Sequence, residues 1–215
     1  LDKRIGESFL KSSPGFGGSC FKKDILNLVY LCKSSGLYEV ANYWDQVIKV
    51  NEWHKNRIYS LVVKKLFNTL ANKKIAILGF SFKANTNDIR ESPSIDLTKN
   101  LLLEKALISI HDPKVKPSQI ENILGRKFDN PKEFNKKTNL NSGNLTFAKD
   151  IDSCLINADA AIVMTEWEEY KEIKWKSYEK KMNNPGWVFD TRYILKEKDF
   201  ANSDLNFWQI GNISN

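Results

Sequence analysis

The sequence predicts an α/β protein in two parts: a helical segment with one long connecting helix, then a doubly wound parallel sheet. Two observations carry this. Between Gly36 and Gly79 there is neither Gly nor Pro, and apolar residues recur there at helical spacing. From Lys73 onward, short apolar runs alternate with amphipathic stretches, the pattern of a sheet covered by helices on both faces.

The elements follow in order. Residues 1–24 read as a loop ending in a glycine cluster. Ile25, Leu28, Val29 and Cys32 mark a helix that Gly36 caps at its C-terminal end. One apolar stripe, Val40, Tyr43, Trp44, Val47 and Ile48, continues through Ile58, Leu61, Val62, Lys65 and Leu66. The spacing predicts a single helix from about Glu39 to about Leu70, roughly 45 Å long at 1.5 Å per residue. Such a helix bridges domains or pairs with a second subunit. Its aromatic residues Trp44 and Trp53 read as packing residues, and His54 as a solvated one. Strands are predicted at Ile75–Leu78, Ala106–Ile110, Ala160–Met164, Trp187–Phe189 and Phe207–Ile210. Helices are predicted over Ser94–Glu104 and Asp150–Asn157. The stretch from Pro113 to Lys149 is rich in Asn and Lys, and about 129–144 reads as an exposed loop. Two domains result: residues 1–70, central and helical, and residues 71–215, Rossmann-like.

Composition narrows the function classes. The chain has 215 residues, 41% hydrophobic and 27% charged, an ordinary globular balance. No apolar run reaches the ~18 residues of a membrane span, and no secretory pattern opens the chain. The first residue is not Met, and the opening reads like the interior of a longer protein. Three cysteines without a paired spacing predict no disulfide framework and a reducing, cytoplasmic home. The two histidines, His54 and His111, are far apart, which argues against a metal site. The net charge of +7 comes from scattered lysines. It reads as a solvated basic surface or as attraction for a phosphate-rich ligand, and it is too dispersed for a nucleic-acid interface.

Four motifs carry chemistry. In Ser13-Pro14-Gly15-Phe16-Gly17-Gly18-Ser19-Cys20-Phe21-Lys22-Lys23-Asp24, three glycines permit tight turns and close approach to a ligand. Cys20 then falls at a helix N-terminus, where unpaired N–H groups and nearby lysines favour a thiolate. Asp24 is close enough to act as a base or to orient water. A small buried filler is the alternative for Cys20; Cys32 and Cys154 lie on apolar helical faces and read as core. Gly79-Phe80-Ser81-Phe82-Lys83 follows the first strand, so Lys83 is placed to meet a phosphate or sugar oxygen. Asp112 ends the next strand, as a ribose-binding acid or simply as an Asp-Pro turn. In Asp88-Ile89-Arg90-Glu91-Ser92-Pro93-Ser94, Arg90 precedes a helix capped by Ser92 or Ser94, and either faces a ligand or pairs with Glu91. Phe189-Asp190-Thr191-Arg192 brings Arg192 toward the same crevice as Lys83, and Trp167 of Thr165-Glu166-Trp167 either lines that crevice or packs.

Together and in this order, these motifs resemble the UDP-glucose 6-dehydrogenase branch of the UDP-glucose/GDP-mannose dehydrogenase family, over about residues 4–210. The resemblance covers only the family's central helix and C-terminal domain. It implies oxidation of UDP-glucose to UDP-glucuronate with two NAD, through a thiohemiacetal and a thioester on Cys20, with Asp24 activating water. It implies substrate contacts from Lys11, Ser12, Ser13, Pro14, Gly15, Phe16, Gly17, Phe82, Lys83 and Arg192, and from Arg4 across a subunit interface. It implies that Cys20, Phe21, Lys22, Lys23 and Arg90 face NAD, and that the long helix forms the core of a dimer. Two departures stand out. Thr191 replaces the family's usual Gly and would be strained at positive φ. The dinucleotide-binding glycine fingerprint is absent, so the chain by itself is expected to bind the nucleotide sugar at best. A GDP-mannose-type enzyme and a non-catalytic nucleotide-sugar-binding or dimerisation module are the alternatives.

Overall fold

A computed structural model describes residues 10–130 and 143–212. Among the described residues two helices come first, α1 (Phe21–Ser34) and α2 (Tyr38–Lys65). They pack as a hairpin around Ile25, Val29, Cys32 and Ala41, with Trp44, Val47 and Ile48 partly buried against them. Gly36, at φ 76°, supplies the left-handed turn between them. The long helix ends five residues before the expected Leu70. Leu66 and Leu70 remain buried and keep the apolar spacing, but Phe67 and Asn68 take φ of 62° and 56° and break the helix.

Six parallel strands form the sheet: β1 (Lys74–Leu78), β2 (Leu107–His111), β3 (Asn144–Phe147), β4 (Ala160–Val163), β5 (Trp187–Asp190) and β6 (Asn206–Gln209), in the order β3-β2-β1-β4-β5-β6. Strand side chains alternate between two layers. Ile75, Ile77, Ile108, Ile110 and Ile162 pack against the C-terminal half of α2 (Ile58, Val62) and against α3 (Pro93–Leu103). Ala76, Leu78, Ala161 and Val163 face α5 (Ile151–Leu155) and the buried Tyr170 and Trp175 that follow β4. Each fully buried isoleucine contributes about 1.5–3 kcal/mol. Ser92 caps α3 by accepting from Ser94 N–H, with Pro93 at the first position.

The Asn- and Lys-rich stretch differs from expectation. It contains α4 (Pro117–Leu124), whose single buried residue is Ile120, and the edge strand β3, so that Asn144 lies in the sheet rather than in an exposed loop. Among the described residues the expected five strands are six. The order reverses between β1 and β4, which leaves a crevice at the carboxyl ends of these strands, where sheets of this kind bind ligands.

Candidate functional site at the glycine loop and the sheet's carboxyl edge

Residues 13–20 lie between α2 and the turn 88–92. On the α2 side, the buried Asn51 accepts from Phe16 N–H at 2.9 Å and donates to Phe16 C=O at 3.2 Å. His54 is half-buried, not solvated as the sequence suggests, and its Nε2 bonds Ser13 C=O at 2.8 Å. On the other side, Gly18 N–H donates to Arg90 C=O at 2.8 Å. A Cβ at Gly17 would sit 2.5 Å from Glu91 C=O, so only glycine allows that approach. Glu91 itself has φ of 54°, a conformation costly for a side-chain-bearing residue. Its carboxylate holds the Lys22 ammonium at 2.8 Å, with Glu52 at 3.6 Å. Those bonds push the Lys22 pKa up.

Cys20 is the exposed N-cap residue of α1, and no side chain caps the helix. Its sulfur is 3.6 Å from Ser19 Oγ. Asp24, exposed like Lys23, follows one helical turn later on the same face. Cys32 and Cys154 are buried, and burial pushes the Cys154 thiol up to about 12.

The strand-end loops meet this structure from the sheet. Phe82 packs against Gly18, with ring atoms 3.0 Å from where a Cβ would lie. Lys83 is exposed, its ammonium 5.3 Å from the Phe82 ring centre. Arg192 is largely buried: its Nε donates to Met164 C=O at 2.7 Å and its Nη2 to Phe82 C=O at 2.9 Å, while Nη1 lies 3.4 Å from Glu166. A cavity of about 780 Å³ opens here, lined by Lys11, Ser12 and Ser13 on one side and by Glu166, Lys171 and Arg192 on the other. Three cations against one acid suit an anionic ligand. Cys20 is not part of this cavity wall; it lies at the other end of the same loop.

Several expectations are corrected. Asp112 is 5% exposed and has both oxygens occupied: one by Phe80 N–H, Ser81 N–H and Trp167 Nε1–H, the other by Lys114 and Val115 N–H. It organises the loops and does not reach a ribose, and Trp167 is a buried part of that arrangement. Arg90 pairs with Asp88 at 2.7 Å rather than with Glu91. Trp53 is 60% exposed, with the Arg57 guanidinium 5.4 Å over its ring, so among the described residues it is not part of a hydrophobic core. Thr191 is not strained: it is fully buried without a positive φ and donates to Val163 C=O at 2.6 Å. The left-handed residue is Tyr193, at φ 57°. Arg4 lies outside the described residues. Asn51 and Asp190 carry site geometry that sequence reasoning did not assign. For Asn51 a signal existed: it and Lys55 are polar residues that continue the buried stripe from Val47 to Ile58 at helical spacing.

Two family models match the chain: the UDP binding domain of the UDP-glucose/GDP-mannose dehydrogenase family over residues 76–197, and that family's central domain over residues 1–53. UDP-glucose 6-dehydrogenase 4 of Arabidopsis thaliana is 44% identical over 213 residues, which cover 98% of this chain and 44% of that protein. UDP-glucose 6-dehydrogenase 3 of Oryza sativa is 43% identical over the same length. The chain thus spans 44% of the length of these relatives. Among solved structures, a UDP-glucose dehydrogenase from Pyrobaculum islandicum superposes with a TM-score of 0.70 at 28% identity, over 93% of this chain and 39% of that one.

Proposed function

The chain belongs to the UDP-glucose/GDP-mannose dehydrogenase family, and from that premise we propose that it is the C-terminal portion of an NAD-dependent UDP-glucose 6-dehydrogenase. Residues 1–70 present the nucleophile and residues 71–215 bind the nucleotide. The observation that carries this reading is the convergence of the Cys20 loop, Phe82 and the cation-lined cavity.

Lys11, Ser12, Ser13 and Arg192 receive the diphosphate and nucleoside at the cavity, with Lys83 reaching in from the exposed loop. Pro14, Gly15, Phe16 and Gly17 shape the wall leading to Cys20, Phe82 closes it, and Arg4 reaches the substrate of a neighbouring subunit. The Cys20 thiolate adds to the aldehyde carbon to give a thiohemiacetal, and later holds the acyl group as a thioester. Asp24, one turn along, directs water at that thioester and releases UDP-glucuronate. NAD, when bound, supplies the hydride acceptor for both oxidations. The residues present fit one side of it: the uncapped N–H groups at Cys20, Phe21, Lys22 and Lys23 and the exposed Arg90 suit its phosphates. The glycine fingerprint of a dinucleotide site is not in this sequence, so this chain binds UDP-glucose without turning it over.

A dimer forms through the helical hairpin, where Leu26, Tyr30, Tyr43, Val50 and Trp53 leave apolar surface exposed. The cytosol, which keeps Cys20 reduced, is the fitting compartment. Among the described residues no helix is long and apolar enough to cross a membrane.

Calorimetry with UDP-glucose and GDP-mannose tests the reading. Binding of UDP-glucose at least tenfold tighter supports it; preference for GDP-mannose, or binding of neither, overturns it. Steady NADH production by this chain with NAD and UDP-glucose would overturn the statement that it does not turn over.

A further inference from the structure

We infer that Asn51 is a positioning residue of this site: its side-chain amide fixes the loop that joins the cavity wall to Cys20. Asn51 is 6% exposed and lies in the middle of α2, where asparagine is a poor helix former and a buried amide needs partners. Its partners are both main-chain groups of one residue, Phe16 N–H and Phe16 C=O. Satisfying both requires a donor and an acceptor side by side, which a carboxamide has and a carboxylate lacks.

The surroundings are built to this contact. Gly15 has φ of 123°, and a Cβ there would lie 2.8 Å from Asn51 Oδ1 and 3.0 Å from Lys55 Cγ. A side chain at Gly15 would lift the loop off the helix. His54 repeats the contact on the same helix by bonding Ser13 C=O. Ser13 borders the cavity, and Phe16 packs edge-on against Phe21, the neighbour of Cys20, at 4.7 Å. The clamp therefore spans the two ends of the proposed site, and the loop is held before any ligand arrives. This inference rests on the nucleotide-binding reading only for what the clamp serves.

The test compares Asn51→Ala and Asn51→Asp with Val62→Ala, a core variant on the same helix away from the loop. Amide exchange at Phe16 and calorimetric binding of UDP are measured well below each melting temperature. In Asn51→Ala, Phe16 exchange rises about tenfold and UDP binds about tenfold more weakly, as loss of two buried hydrogen bonds implies. Asn51→Asp keeps the size and the acceptor but sets an oxygen against Phe16 C=O, and weakens UDP binding at least about threefold. Val62→Ala lowers the melting temperature and moves neither readout. Wild-type UDP affinity in both Asn51 variants, or equal losses in Val62→Ala, overturns the inference. If the wild-type chain does not bind UDP, the nucleotide reading falls and Phe16 exchange alone decides whether Asn51 clamps the loop.

Discussion

Two sets of loops frame the candidate site, and they are held in opposite ways. The glycine loop is fixed from outside by groups that are not acids: the Asn51 amide, the His54 ring and the Arg90 carbonyl. The strand-end loops are fixed from within by buried acids. Asp190 is fully buried and accepts from Arg192, Ile194 and Leu195 N–H and from Gln209 Nε2. Asp112 does the same for the loops after β1 and β2, and Glu166, which is only half-buried, takes Ala84 N–H at 3.2 Å. A carboxylate accepts several N–H groups at once, which suits places where chain ends converge. An amide both donates and accepts, which suits a loop running alongside a helix. The strand-end loops are thus tied into the stability of the sheet, while the glycine loop can shift without unfolding it.

The largest effect is expected where the acids are removed. Asp190→Ala takes the acceptor from three backbone N–H groups and one of the two acceptors of Gln209 Nε2, and should cost about 3–5 kcal/mol, or prevent folding. Asp190→Asn keeps one acceptor and should cost less; urea denaturation of both variants measures this. Gly79→Ala comes next. A Cβ there would lie 2.4 Å from the Thr165 side chain, at φ 94°, with buried neighbours on all sides. We expect about 2–4 kcal/mol. Gly17→Ala meets Glu91 C=O at a comparable 2.5 Å, but the loop can shift. The expected cost is only about 1–2 kcal/mol, with the larger loss in UDP affinity. Equal destabilisation by the two glycine variants would break the distinction between the regions.

The two regions also differ in how far the sequence reveals them. The strands β1 and β4 are legible because Ile75–Leu78 and Ala160–Val163 are buried on both faces and therefore apolar throughout. The edge strand β3 is not, since Leu145 is its one residue in the main core, and neither is α4 with its single buried Ile120. Phe67 and Asn68 end α2 early without disturbing the apolar spacing, so pattern reading runs past them. In the site, Cys20 and its glycines declare themselves through backbone demands that only glycine meets. Asn51 does not, because its meaning depends on Phe16, 35 residues away. For Asp112 the sequence leaves a ribose-binding acid and an Asp-Pro turn open, and only the tertiary structure brings five N–H groups to its two oxygens.

A smaller effect on stability separates the cysteines. Cys20→Ser at an exposed N-cap should change stability by less than about 0.5 kcal/mol. It should also abolish the single iodoacetamide label expected on the native chain, because Cys32 and Cys154 are buried. Labelling of a second cysteine under native conditions, read by mass spectrometry, would mean that the helical hairpin or the sheet opens more readily than this packing allows.

The finest distinction is in pH. His111 ends β2 beside the acid-organised loops, 8% exposed, with Nδ1 3.0 Å from Tyr170 Oη. Tyr170 donates to His111 C=O, so its oxygen accepts from Nδ1–H. Burial lowers the His111 pKa below its ordinary 6.5, although the charges of Asp112 and Asp150 favour protonation. Glu169 lies 3.9 Å from Nδ1, and the net direction is still down because burial outweighs the nearby charges. The sign follows from linkage: below pH 6.5 the unfolded chain binds a proton at this histidine that the folded chain refuses. Stability therefore falls as pH drops from 6.5 toward the lowered folded value, by at most about 1.4 kcal/mol per pH unit. Acids held below their ordinary values, such as Asp88 and Asp150, lose their contribution at lower pH, around and below 3.8. Comparing urea midpoints of the wild type with those of His111→Gln between about pH 5.5 and 7 measures the His111 contribution. His111→Gln should flatten the slope there, and an unchanged slope would place the pH sensitivity outside the strand-end loops.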